Sequence, residues 1–272
     1  MPTAMPRFPI RQLAAWLALA LLSATAGAAE QHAYKVVDKK PQSRDTWVQG
    51  LEIVDDQLYV SSGGYGKSLL RRFDFASGEL DIERKVNPGV FAEGLTVLGD
   101  KLYLLTWKSR NLLIYNRDDL SPLQRMQIPG EGWGLTNNGE QLVYSDGSDR
   151  LYFVAPDQHR ITRALRVTEN GRPVTRLNEL EWIDGRIWAN VWQTDRIVII
   201  NPADGVVEAS VDLRDLLPLP ERRSDTDVLN GIARNPADGG IWVTGKNWPW
   251  IYRIELVPTA AAADANPPPA TP

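Results

Sequence analysis

Cysteine is absent from the 272-residue chain, and histidine occurs only at His32 and His159. The first absence excludes disulfides, a thiolate nucleophile and a Cys-ligated zinc site. The second leaves two histidines, one near the amino terminus and one in a turn-like segment, which read as solvated loop residues rather than a shared metal site. An excess of positive charge is missing too. The formal charge is −4, and loss of Arg7 and Arg11 with the amino-terminal segment makes it −6. That balance argues against nucleic acid as a partner. Past Leu22 no apolar stretch is long enough to span a bilayer, and none carries the 3.6-residue periodicity of a helix over a useful length.

The ends separate from the middle by composition. Arg7 and Arg11 precede the apolar run Leu13 to Leu22, and Ala24-Thr25-Ala26 and Ala26-Gly27-Ala28 supply two small-residue cleavage patterns. This is the layout of a secretory signal peptide over residues 1–28, so the mature protein is expected to be exported, periplasmic or secreted, and free of the membrane after cleavage. Residues 258–272, largely Ala and Pro, are expected to form a disordered tail. Between them, residues 29–257 suffice for one all-β domain.

A short motif recurs five times in that domain. Its turns are Gln49-Gly50-Leu51, Glu93-Gly94-Leu95, Trp133-Gly134-Leu135, Asn178-Glu179-Leu180 and Asn230-Gly231-Ile232, spaced 44, 40, 45 and 52 residues apart. The first repeat reads as four strands: Leu51–Val54, Leu58–Ser61, Leu69–Asp74 and Leu80–Val86, separated by Asp55-Asp56, Gly63-Gly64 and Ala76-Ser77-Gly78. A period near 40 residues built from such meanders predicts a five-bladed β-propeller. Tyr34–Val37 is expected to close the ring as an outer strand of the last blade. Asp212–Asp225, rich in Leu, Pro and Arg, accounts for the longest spacing as an excursion over one face with a helical turn.

Aligning the repeats superimposes two rings of side chains at one end. One precedes strand one: Gln49, Glu93, Trp133, Asn178 and Asn230. The other follows strand two: Gly63, Trp107, Gly147, Trp192 and Lys246. Trp47 and Phe91, two residues before Gln49 and Glu93, lie on the same side of an extended chain. Tryptophans alone could plug the channel core, but lone buried charges such as Glu93 and Lys246 are costly unless paired or used. The rings hold no His to activate a serine, no metal cluster and a single carboxylate, where glycoside cleavage normally wants two. What remains is chemistry needing one proton shuttle, an oxyanion site and exclusion of water. A non-catalytic binding propeller and a five-bladed glycosidase are the competing readings.

The motifs Trp47-Val48-Gln49-Gly50-Leu51-Glu52, Phe91-Ala92-Glu93-Gly94-Leu95, Leu177-Asn178-Glu179-Leu180-Glu181 and Val243-Thr244-Gly245-Lys246-Asn247-Trp248-Pro249 resemble those of the glutamine cyclotransferase family. So do Leu105-Thr106-Trp107-Lys108, Trp188 to Asp195 and Val228 to Ala233. The resemblance runs from about Tyr34 to Leu256. It implies a five-bladed propeller that converts amino-terminal glutamine of peptides and proteins to pyroglutamate with release of ammonia, without metal or other cofactor. It carries Glu93, Lys246, Gln49 and Asn178 over as catalytic positions, with Glu93 as general acid and base. Phe91, Trp107, Trp133 and Trp192 come over as pocket residues. Trp47 departs from the family pattern, which often has Phe there. Asn230 is added as a substrate contact from its place in the first ring. Gly63 and Gly147 are expected to leave gaps for the rest of the peptide, and a monomer is expected.

Overall fold

Tight hairpin turns organise the chain. Asp55 and Asp56 both take positive φ, 49° and 59°, and link Val54 to Gln57, which pair directly across the turn. Asp184-Gly185 repeats the geometry, with φ of 47° and 76°. Turns with two left-handed residues match the twist of the strands they join, which is why short polar residues and glycine occupy them.

The computed structural model describes residues 29–259; the expected export segment and nearly all of the Ala/Pro-rich end lie outside the described residues. After β1 (Glu30–Pro41), three four-stranded antiparallel meanders follow: β2 (Val48–Val54) to β5 (Leu80–Lys85) through β3 (Gln57–Ser62) and β4 (Leu69–Asp74); β6 (Ala92–Leu98), β7 (Lys101–Thr106), β8 (Asn111–Asn116) and β9 (Pro122–Gln127); then β10 (Leu135–Asn137), β11 (Leu142–Ser145), β12 (Arg150–Ala155) and β13 (Arg160–Arg166). A two-residue ladder, β14 (Thr168–Glu169) with β15 (Arg172–Pro173), leads to β16 (Leu177–Ile183), β17 (Arg186–Val191), β18 (Arg196–Ile200) and β19 (Val207–Asp212). The last strands are β20 (Leu229–Arg234), β21 (Ile241–Gly245) and β22 (Trp250–Pro258). All-β architecture is thus as expected, and β22 continues one residue past the expected end of the domain.

β1 completes the last group, pairing antiparallel with β22 from His32–Pro258 to Pro41–Trp250. The closing strand is longer than the expected Tyr34–Val37, and His32 lies in it rather than in a loop. β1 also pairs in parallel with β19 through Glu30–Ala209 to His32–Val211, fusing the last two groups into one eight-stranded sheet. That second pairing had no signal in the repeat. In the excursion, Leu219–Glu221 forms a 3-10 turn as expected, while Leu213, Leu216 and Leu217 bury themselves against Trp248 and Tyr252.

The first strands of the groups, β2, β6, β10, β16 and β20, pack against one another in cyclic order. Apolar layers fill the spaces between neighbouring sheets, such as Tyr59, Leu70, Leu95 and Leu104 between the first and second. Crowding at the centre explains the repeated glycine. A Cβ on Gly94 would lie 2.4 Å from the Leu135 amide nitrogen, and one on Gly134 only 1.9 Å from the Asn178 carbonyl oxygen. No side chain fits between backbones at that separation. In the fourth repeat Glu179 replaces glycine, and its carboxylate accepts from the Leu51 (3.3 Å) and Ile232 (2.8 Å) amides.

Glu52 and Glu181 do similar work further along the same strands, accepting from the amides of Val97 (2.6 Å) and Arg234 (2.9 Å). Inner strands have one unpaired edge each, so these carboxyls satisfy donors that would otherwise be buried without partners. Burial pushes Glu52 up to about 8 from its ordinary 4.5, and pushes Glu179 and Glu181 well above the usual range. A raised folded-state value means that stability present below about pH 4.5 is lost as pH rises through about 8. Glu52→Gln can still accept from the Val97 amide and donate to Thr96 Oγ1, but does not titrate. Its melting temperature should therefore fall less than the wild type's between pH 5 and 8, each kcal/mol retained being worth about 2–4 °C; equal slopes would contradict this role.

Candidate active site

Backbone irregularity aims the first ring of side chains. Register shifts fall between Val48 and Gly50, Ala92 and Leu95, Leu177 and Leu180, and Leu229 and Ile232. Gln49, Glu93, Asn178 and Asn230 therefore sit within the first strands, at β-bulges, and not in turns preceding them. A bulge rotates a side chain out of the regular alternation, here at the same point of four repeats. The third repeat differs: β10 starts at Leu135, and Trp133 donates its amide to the Ser145 carbonyl at 2.9 Å.

The second ring is pinned to the first by one repeated hydrogen bond. The amides of Gly63, Trp107, Trp192 and Lys246 donate to the carbonyls of Trp47 (3.0 Å), Phe91 (3.1 Å), Arg176 (2.8 Å) and Val228 (3.0 Å). Each acceptor lies two residues before a first-ring position. The two rings thereby share one cavity of about 290 Å³. Its walls are aromatic, from Trp47, Phe91, Trp107, Trp133 and Trp192, and its polar groups include Gln49, Glu93, Asn178 and Lys246. Trp133 meets Trp192 edge to face at 5.4 Å, and Phe91 meets Trp107 at 5.7 Å.

Three expected placements are corrected. Asn230 does not line the cavity: it is fully buried behind Gln49, with Nδ2 donating to the Val48 carbonyl at 3.0 Å and to Gln49 Oε1 at 3.4 Å. Holding Gln49 by its oxygen leaves the Nε2 donor for the cavity. Gly63 and Gly147 are not gaps. A Cβ would lie 2.2 Å from the Phe91 ring at Gly63 and 2.6 Å from the Trp133 ring at Gly147, so these glycines receive the two aromatic side chains.

The sequence reading missed Glu131, Asp227, Val228 and Gln193. Glu131 accepts from the Trp107 and Trp133 indole N–H groups, at 2.7 and 3.1 Å; the other three line the cavity. Glu131 and Val228 lie two residues before Trp133 and Asn230, the offset already used for Trp47 and Phe91, and extending it to all repeats finds them. Asp227 and Gln193 carry no comparable signal.

Glu93 and Lys246 are 5% and 4% exposed, so both ionisable groups are inside the aromatic shell. Burial drives the Glu93 carboxyl well above its ordinary range; Lys246 pulls it back in part and Glu131 pushes it further up. Burial likewise lowers Lys246, opposed by Glu93 and Asp227. Glu93 is thereby shifted toward its neutral form, with Lys246 opposing the shift from the same cavity, an arrangement suited to a group that exchanges a proton. Asn178 Oδ1 is buried with no hydrogen-bond partner among the described residues, leaving an acceptor for a group entering the cavity. Among the described residues no group of three or more His, Cys, Asp or Glu side chains is placed to hold a metal ion, and no helix is long and apolar enough to cross a membrane.

The same chain matches the family model for glutamine cyclotransferase over residues 11–256. It is 38% identical over 231 residues to a glutaminyl-peptide cyclotransferase of Arabidopsis thaliana, covering 84% of this chain and 72% of that one. It resembles the crystal structure of Myxococcus xanthus glutaminyl cyclase with a TM-score of 0.77 at 31% identity, over 84% of this chain and 98% of the other. Extent and identity together place it: the chain belongs to the glutamine cyclotransferase family.

Proposed function

We propose that the protein is a glutaminyl-peptide cyclotransferase: it closes an amino-terminal glutamine into pyroglutamate and releases ammonia. The observation that carries the reading is the buried pair Glu93 and Lys246 inside an aromatic cavity of about 290 Å³, in a chain of this family. The α-amine nitrogen attacks the Cδ carbon of its own side-chain carboxamide, and the bond from that carbon to the amide nitrogen breaks. Glu93 takes a proton from the attacking amine and returns it to the departing nitrogen, which leaves as ammonia. Lys246 and the Gln49 Nε2 donor hold the oxyanion of the tetrahedral intermediate. Asn178, whose Oδ1 has no partner among the described residues, accepts from the amine and keeps its lone pair aimed at the carbon. The indoles of Trp107, Trp133 and Trp192 fold the side chain back on the amine and keep water out.

The five strand groups with cyclically packed first strands support a five-bladed propeller closed by β1. Export rests on the amino-terminal pattern of residues 1–28, and the working form is read as a monomer. The reaction as drawn uses no metal or other cofactor, so a chelator should leave the rate unchanged.

The test is ammonia release from a glutamine-initiated peptide, beside the same peptide acetylated at its amine and one begun by glutamate. Release from the free glutamine peptide alone is expected. No release from it, or equal release from the acetylated form, overturns the reading.

A further inference from the structure

Of the five positions two residues before the first ring, only Glu131 bears a carboxylate; the others are Trp47, Phe91, Arg176 and Val228. It sits in the third repeat yet reaches into the second. The segment passes close against β7: a Cβ on Gly132 would lie 3.0 Å from the Thr106 carbonyl oxygen, and the Gly132 amide points to the Trp107 carbonyl. Glycine at 132 therefore lets the chain bring Glu131 under both indoles. One oxygen, Oε2, accepts from Trp107 Nε1 at 2.7 Å and from Trp133 Nε1 at 3.1 Å. These rings are opposite ends of two aromatic pairs, Phe91 with Trp107 and Trp133 with Trp192, so a single carboxylate couples four walls of the cavity.

We propose that Glu131 is a positioning residue of the cyclisation pocket, tying Trp107 to Trp133 through one shared oxygen and setting the charge against which Glu93 exchanges its proton. This rests on the cyclase reading above. A carboxylate is an acceptor only, so both indole N–H groups must point at it and neither ring can turn away without losing a bond. Two charges act on Glu93: Lys246, following β21, stabilises the ionised form, and Glu131, preceding β10, opposes it. Asp227, before β20, acts on Lys246. The remaining buried carboxyls near the axis, Glu52 on β2 and Glu179 and Glu181 on β16, are engaged by inner-strand amides. Glu131 therefore acts against Lys246 at Glu93 and adds to burial in favouring the neutral carboxyl.

Glu131→Gln and Glu131→Asp separate the two roles. Gln keeps a carbonyl oxygen for an indole and removes the charge. Asp keeps the charge and is one methylene too short to reach both rings. The expected result for Glu131→Gln is an acid limb of the kcat/KM profile moved to lower pH. For Glu131→Asp the limb stays and KM rises about tenfold, in keeping with one lost hydrogen bond to a charged acceptor. Raised KM in both variants with an unmoved limb reduces Glu131 to a structural prop and overturns the proposal, as does wild-type behaviour in both.

A second readout does not need turnover. With ¹³C-carboxyl-labelled glutamate, the Glu93 resonance, identified by its loss in Glu93→Gln, should titrate at lower pH in Glu131→Gln than in the wild type. An unchanged midpoint sinks the electrostatic role whether or not the protein cyclises glutamine. Wild-type protein without activity but with the shifted midpoint would sink the cyclase reading and leave the coupling standing.

Discussion

Glu93→Gln lowers kcat for pyroglutamate formation by about 10²–10⁴-fold, the range associated with loss of a general acid and base. The same variant should melt within a few degrees of the wild type. Gln is nearly isosteric with the protonated carboxyl, and burial already disfavours the charged form at this site. The loss should appear equally in kcat and kcat/KM, since the proton transfer belongs to the transition state rather than to ground-state binding. Measured on a glutamine-initiated peptide, activity within threefold of wild type, about 0.7 kcal/mol in barrier height, would remove Glu93 from the mechanism.

Lys246→Met should cost about 10²–10³-fold in kcat, the typical effect of deleting an oxyanion donor. It should also move the acid limb of kcat/KM. Lys246 stabilises the ionised form of Glu93, so removing it raises the Glu93 value and shifts the limb to higher pH. That is opposite to the shift expected for Glu131→Gln, because the two substitutions remove charges of opposite sign from the same carboxyl. A Lys246→Met enzyme with reduced kcat and an unmoved limb would keep the lysine as a donor and deny its field on Glu93.

Much of this molecule was legible in the chain because its local signals are short-range. Asp55-Asp56 and Asp184-Gly185 name tight turns on their own, since few other residue pairs tolerate two positive φ values. Their recurrence sets strand order, and strand order alone groups Glu93, Trp107, Trp192 and Lys246 about one end of the ring. The bulges at Gln49, Glu93, Asn178 and Asn230 were not legible, because a bulge is a property of two strands in register. For the same reason Asn230 was misplaced: whether its amide faces the cavity or Gln49 depends on the local twist.

Glycine was the most misleading residue type. At Gly63 and Gly147 the missing side chain suggested open space, whereas the neighbouring Phe91 and Trp133 rings occupy it. At Gly94 and Gly134 the same absence reflects close backbone approach. Composition cannot tell a hole from a receptacle, because the difference lies in a side chain 28 residues away for Gly63 and 14 for Gly147. The axial carboxyls of Glu52, Glu179 and Glu181 escaped notice for a related reason: their partners are main-chain amides on other repeats.

The most direct test of the account follows oxygen and nitrogen through one turnover. A peptide whose amino-terminal glutamine carries ¹⁵N in the side-chain amide is converted in water enriched in ¹⁸O, and the product is weighed. Intramolecular attack inside a water-excluding pocket predicts pyroglutamate with no ¹⁸O, and all the ¹⁵N in released ammonia. Incorporation of ¹⁸O, in pyroglutamate or in glutamate as the major product, would mean that water attacks the carboxamide, and would contradict the mechanism assigned to Glu93, Lys246 and the tryptophan walls.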